Sequence, residues 1–362
     1  MKTNIIRFLA AAAAVLLFLS SCGAGDAVLS YKDSVITENE FTYYLATYKS
    51  RFLTTYKDFK DNASFYSSQH GDTGMTGEEF IFDSILTNVK MSLVCDALAD
   101  EYGLTVSEDT TAVIDAYLED FIEEYSGGSK TQFNQALAQY GINLKMLHEI
   151  YLRDERGMAL YDYLYGSGGT IGISDEDRTE YLTENYVRVR HIYVNNKYIY
   201  ATDEDGIVLT NKDGTYQTAA LTGELLDAQN AKIASIDAAL AAGEDFETVC
   251  MTYSEDTLYE NGYYLTRTMD FVDDVVVSAF DLEIGKHVKI ESEVGTHYIM
   301  RLDMDDKPWD DEKNADFFAD YDTVVSTALF TEYVESLIDE VVVNEEILSK
   351  FSVQASPSNS RF

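Results

Sequence analysis

Apolar positions recur at two different periods along the chain, and the change between them divides the sequence. From residue 38 to residue 185 the spacing is helical. Thr37 followed by Glu40 reads as a capping box, with Phe41, Tyr44, Leu45 and Tyr48 on one face beyond it. A second stripe, Phe80, Ile81, Ile85, Val89, Leu93 and Leu98, predicts a helix over 77–102 stopped at Gly103. Ser107 caps a third helix carrying Val113, Ile114, Tyr117 and Phe121. Helices over 131–140 and 143–165 follow, and Ser174 caps another. Ahead of them, AVLSYKDSVIT reads as two short strands joined at Lys32-Asp33, and 60–77 reads as a loop.

At residue 187 the period shifts to two. VRVRHIYV is a strand with one histidine, His191, among β-branched and aromatic neighbours. DEDG and NKDG turn signals make 196–218 a hairpin-like insertion. Then come an Ala-rich helix over 221–242, a helix over 246–253, a helical segment within 270–282, and two closing strands, VKIESE and GTHYIMRL. An acidic helix over 315–341 and the segment VVVNEEILSKFS precede a polar tail, 353–362. The expected fold class is α+β.

Composition narrows the function. The net charge of −38 repels nucleic acid and anionic lipid surfaces, so neither is an expected partner. His70, His148 and His287 lie apart without ligand spacing, and no phosphate-binding loop occurs, so no metal or cofactor is expected. Cys95 and Cys250 show no CxxC pattern and read as small core residues. At the N-terminus, Lys2 and Arg7 precede the apolar run FLAAAAAVLLF. That run falls short of the about 20 residues a spanning helix needs and fits a signal peptide over 1–21. LSSC, ending at Cys22, resembles the lipobox of bacterial lipoproteins. The resemblance implies cleavage before Cys22, lipidation of its thiol, and a tether over 22–27 at the extracytoplasmic face of the cell membrane.

Four segments resemble the parvulin rotamase family in order: VRVRHIYV, AGEDFETVCMTYSED, SAFDLEIGK and VGTHYIMRL. The flanking pieces LSYKDSVITENEF, GLTVSEDT and DEDRTEYLTENYVRVRHIYV are similar to PrsA- and SurA-type foldases. The resemblance implies a helical chaperone domain over 28–185, a parvulin-like domain over 187–304, and a segment over 310–352 returning to the chaperone domain. It implies a catalytic set of His191, Asp256 and His297. The proline pocket would be Leu265, Phe271, Val275 and Val294. Here the sequence departs from the family: NGYYLTRTMDF stands where parvulins read Gly-Gly-x-Leu-Gly-Trp-Phe. Three functions therefore stay open. They are a peptidyl-prolyl cis/trans isomerase acting on X-Pro bonds of unfolded exported proteins, a holdase chaperone with a weak or inactive parvulin domain, and a non-catalytic binding lipoprotein.

Overall fold

The computed structural model describes residues 25–256, 258, 261–359 and 361. The expected signal peptide and Cys22 lie outside the described residues. The chain runs β1 (Ala27–Tyr31), β2 (Ser34–Thr37), α1 (Glu38–Thr55), α2 (Ala63–Ser67), α3 (Gly77–Glu101), α4 (Glu108–Ser126), α5 (Lys130–Ala138) and α6 (Leu144–Leu164). It continues through α7 (Asp175–Asn185), β3 (Tyr186–Val194), β4 (Tyr198–Tyr200), β5 (Thr218–Ala220), α8 (Gly223–Ala241), α9 (Phe246–Tyr253), β6 (Tyr263–Thr266) and α10 (Asp273–Asp281). It closes with β7 (His287–Glu291), β8 (Thr296–Leu302), α11 (Ala315–Phe318), α12 (Tyr321–Glu335), β9 (Val342–Val343) and α13 (Glu345–Leu348). Helices and small antiparallel sheets make the class α+β.

Two compact units emerge, divided after Gly172 and after Val325. In the first, the expected caps are in place: Thr37 and Glu40 form a reciprocal capping box, and Ser107 accepts from the Thr110 backbone. The apolar stripes of α1, α3 and α6 meet in one core built around Phe41, Ile85, Leu93, Phe133 and Leu147; α4 joins it through Ile114, Leu118 and Ile122, while Val113 and Tyr117 of its expected stripe are exposed. β9 pairs with β1, so the C-terminal part of the chain completes this unit's sheet. Arg153 is buried there, 3.0 Å from the Glu40 carboxylate and 3.4 Å from that of Asp96.

In the second unit, β6, β3, β8 and β7 form a four-stranded antiparallel sheet in that order. Ile192, Val194 and Tyr298 face α8 and α9 on one side. Val187, Val189, Leu265, Ile290 and Ile299 pack with α10 on the other. Helix α7 and residues 310–325 belong to this unit.

Three local expectations need correction. YYLT, over Tyr263–Thr266, to which the sequence pattern assigns no element, is an edge strand paired with β3. The single helix expected over 315–341 is broken into α11 and α12, followed by a 3-10 turn over Ile338–Glu340. The loop expected over 60–77 contains α2, capped by Asn62. No helix among the described residues is long and apolar enough to cross a membrane.

Candidate active site

Register brings the two histidines together. His191 lies opposite Ile299 and Tyr193 lies opposite His297, so all four side chains share one face of the β3–β8 pair. The imidazoles are diagonal neighbours, 3.0 Å apart from His191 Nε2 to His297 Nδ1. Both residues are buried, His297 at 2% exposure.

Asp256 reaches them from the turn after α9. Its backbone N–H donates to Ser254 Oγ, 3.1 Å away, and Ser254 Oγ also accepts from the Tyr193 backbone on β3. This fixes the turn to the sheet. Asp256 Oδ2 then sits 2.6 Å from His191 Nδ1. The same oxygen accepts from Tyr263 Oη at 2.6 Å, and Oδ1 accepts from the Leu258 backbone at 3.1 Å. Burial works to raise this carboxyl, but the hydrogen bonds from His191, Tyr263 and Leu258 outweigh it and hold its pKa below the usual Asp value.

At the far end, His297 Nε2 lies 2.8 Å from Ser292 Oγ. The protons of the chain follow from Asp256. An ionised carboxylate only accepts, so His191 donates Nδ1–H to it. The four side chains form one hydrogen-bonded line: Ser292, His297, His191, Asp256. His297 is kept neutral well into the acid range, with its pKa pushed down to about 4. Burial is the largest cause and the neighbouring His191 adds to it, while Asp256 partly opposes both.

Ser292 beside a histidine resembles a nucleophile and base, but its environment argues otherwise. A base whose pKa lies near 4 is a poor acceptor for a serine proton at neutral pH. Ser292 Oγ also takes a hydrogen bond from the Val294 backbone, which lowers its nucleophilicity. Cys250 is buried, with its thiol directed at the His191 carbonyl 3.3 Å away, and burial raises its pKa, so it is not an activated thiolate. The line of groups is suited to holding two imidazoles in fixed orientation.

Aromatic rings flank the pair. Tyr193 lies 5.1 Å from the His297 ring, and Phe271 stands edge-on 5.8 Å from His191. Both are half-buried, so both retain surface for a ligand. Val294 is exposed in the turn before β8. Leu265 and Val275, expected in the proline pocket, are completely buried among Val187, Val189 and Ala279. In this conformation they back the wall of the site and present no surface of their own.

Sequence reasoning missed Tyr263 and Ser292. Tyr263 sits in a strand to which the sequence pattern assigns no element, and a lone tyrosine gives no hint of its hydroxyl's partner. Ser292 carried a usable signal, since the turn at ESEVG places it beside the His297 strand.

No family model matches this chain, and no curated protein does. Among solved structures, PrsA from Bacillus subtilis matches at 17% identity, with 78% of this chain and 93% of that chain covered and a TM-score of 0.23. The peptidylprolyl isomerase PrsA from Bacillus cereus matches at 15% identity, with 90% and 96% covered and a TM-score of 0.25. A SurA-like chaperone from Campylobacter jejuni matches at 10% identity, with 72% and 86% covered and a TM-score of 0.23. These three solved structures are two PrsA proteins and a SurA-like chaperone.

Proposed function

We propose that the chain is an extracytoplasmic foldase whose second unit isomerises X-Pro bonds in unfolded exported proteins. The observation that carries this reading is the line Ser292, His297, His191, Asp256 set beneath the half-buried rings of Tyr193 and Phe271. Prolyl isomerisation breaks no covalent bond. It must cross an amide-resonance barrier of about 18–20 kcal/mol, and uncatalysed it takes roughly tens to hundreds of seconds. A site lowers that barrier by removing water from the twisted amide and holding the proline ring on apolar surface. A hydrogen-bonded imidazole pair held in fixed orientation, with His297 neutral, suits this task because no covalent bond to the substrate is needed. The motif ending at Cys22 supports a lipid anchor that keeps the protein at the membrane's outer face, where exported chains emerge.

Isomerisation of a panel of X-Pro peptides by the chain from Gly23 tests the proposal. Acceleration that collapses in the His191→Ala, His297→Ala double variant is the expected result. The spontaneous rate for every peptide would refute it. The full burial of Leu265 and Val275 favours a second reading, a holdase whose proline grip is weak. In that case suppression of client aggregation survives the double substitution unchanged.

A further inference from the structure

The terminal segment is polar in sequence, yet it is seated on the first unit. The Val353 side chain is fully buried, and the backbone N–H groups of Val353 and Gln354 both donate to the Glu78 carboxylate, at 2.7 and 2.9 Å. Further along, the buried Lys49 ammonium donates to the Ser356 carbonyl at 2.9 Å. The Asn359 backbone N–H donates to the Ala46 carbonyl of α1 at 2.9 Å, and its side chain donates to Thr47 Oγ1 at 2.9 Å. The Arg361 guanidinium stands 6.0 Å from the Tyr125 ring. Asn359 and Arg361 line a cavity of about 450 Å³ with Tyr43, Tyr48, Tyr117 and Tyr151.

Beyond Val353, two of these anchors read main chain and ignore side-chain identity: Lys49 to a carbonyl, and the Ala46 carbonyl to an N–H. Pro357 and Ser358 between them are exposed. The tyrosines beside the track offer ring faces and hydroxyls, and the ring at Tyr125 holds a guanidinium. A surface built this way accepts any extended chain that brings a basic residue to the same place, and the −38 net charge favours such a chain.

We infer that this face of α1 is a docking track for an extended, basic polypeptide segment, and that the tail, through Ser356, Asn359 and Arg361, occupies it in competition with that segment. The inference rests on the foldase reading for the identity of the segment. A tethered tail has an effective concentration on the order of 1 mM, so against a weak intrinsic affinity it would reduce external binding by about 2- to 10-fold.

The test compares the chain from Gly23 with the same chain lacking residues 355–362. The probe is reduced, carbamidomethylated lysozyme, an unfolded basic polypeptide, with binding read by fluorescence anisotropy. The shortened chain should bind several-fold tighter, and the free peptide ASPSNSRF should bind the shortened chain and reverse the gain. Asn359→Ala in the full-length chain should give a smaller gain in the same direction, which guards against a folding defect in the deletion. Equal affinities for all three chains overturn the inference, as does failure of the peptide to bind the shortened chain. A probe that binds none of them while the peptide binds the shortened chain would instead sink the foldase reading.

Discussion

Acidification should unfold the second unit through His297, by an amount set by its burial. The imidazole has an ordinary pKa of 6.5 and is depressed to about 4 in the folded chain. Between these values the unfolded chain binds a proton that the folded chain refuses, so stability falls as pH falls through this window. A tenfold difference in proton affinity between the two states corresponds to about 1.4 kcal/mol, and integrating from about pH 7 to about pH 4.5 gives a loss of about 2 kcal/mol from this one group. Asp256, held below its usual range, acts in the same direction only at lower pH, since its contribution is lost as pH falls through its folded value. The chain's many carboxylates act the other way, because acid relieves their mutual repulsion. The perturbation is therefore a comparison. His297→Gln keeps an N–H that can donate to His191 but cannot titrate. The chain's single tryptophan, Trp309, stacks on Tyr321 within the second unit, so its fluorescence during urea unfolding reports on that unit. The wild type should lose about 2 kcal/mol more than the variant between about pH 7 and about pH 4.5. Superimposable pH slopes would refute the reasoning and leave His297 an ordinary, freely titrating histidine.

Two further substitutions probe single interactions. Tyr263→Phe removes one of the donors to Asp256 Oδ2; it should cost about 1.5–3 kcal/mol by Trp309-monitored urea unfolding and raise the Asp256 pKa, whereas an unchanged midpoint would mean the hydrogen bond is replaced by water. Arg153→Met in the first unit leaves Glu40 without an ion-pair partner and Asp96 with Arg156 and Ser34; it should cost about 3–5 kcal/mol by circular-dichroism unfolding, and a cost under about 1 kcal/mol would show that the carboxylates find other partners.

Much of this arrangement was legible in the sequence because it rests on periodicity. Alternation placed His191 and His297 on strands with apolar neighbours, and caps at Thr37, Ser107 and Ser174 marked helix starts that the structure keeps. What stayed hidden depends on contacts between residues far apart in the chain. β6 is four residues long and follows Asn261-Gly262, so its turn signal outweighed its strand signal. Helix α11 ends after one turn because Phe317 and Phe318 are drawn onto Tyr264, a tertiary preference that no local pattern encodes. The tail read only as a polar stretch because several of its anchors, at Val353, Gln354, Ser356 and Asn359, are main-chain groups, which carry no sequence signature.

The same distinction bears on whether the site works or merely persists. The line from Ser292 to Asp256 depends on strand register and one turn, and a sheet that keeps its register keeps the line whatever its catalytic history. The proline grip depends on the stretch after Asp256, where Tyr263 commits its hydroxyl to the carboxylate and Leu265 and Val275 are committed to the core. Only Phe271, Tyr193 and Val294 of the expected and flanking residues then remain to meet a ring, and Phe271 is the one that packs against both His191 and Tyr263. Phe271→Ala thus separates the two cases. It removes apolar surface at the site without touching the hydrogen-bonded line, so an active isomerase should lose kcat/KM by about tenfold or more, from roughly 1.5–3 kcal/mol of lost aromatic burial against the substrate. A rate unchanged by this substitution, in a chain that does accelerate isomerisation, would mean the proline ring is held elsewhere.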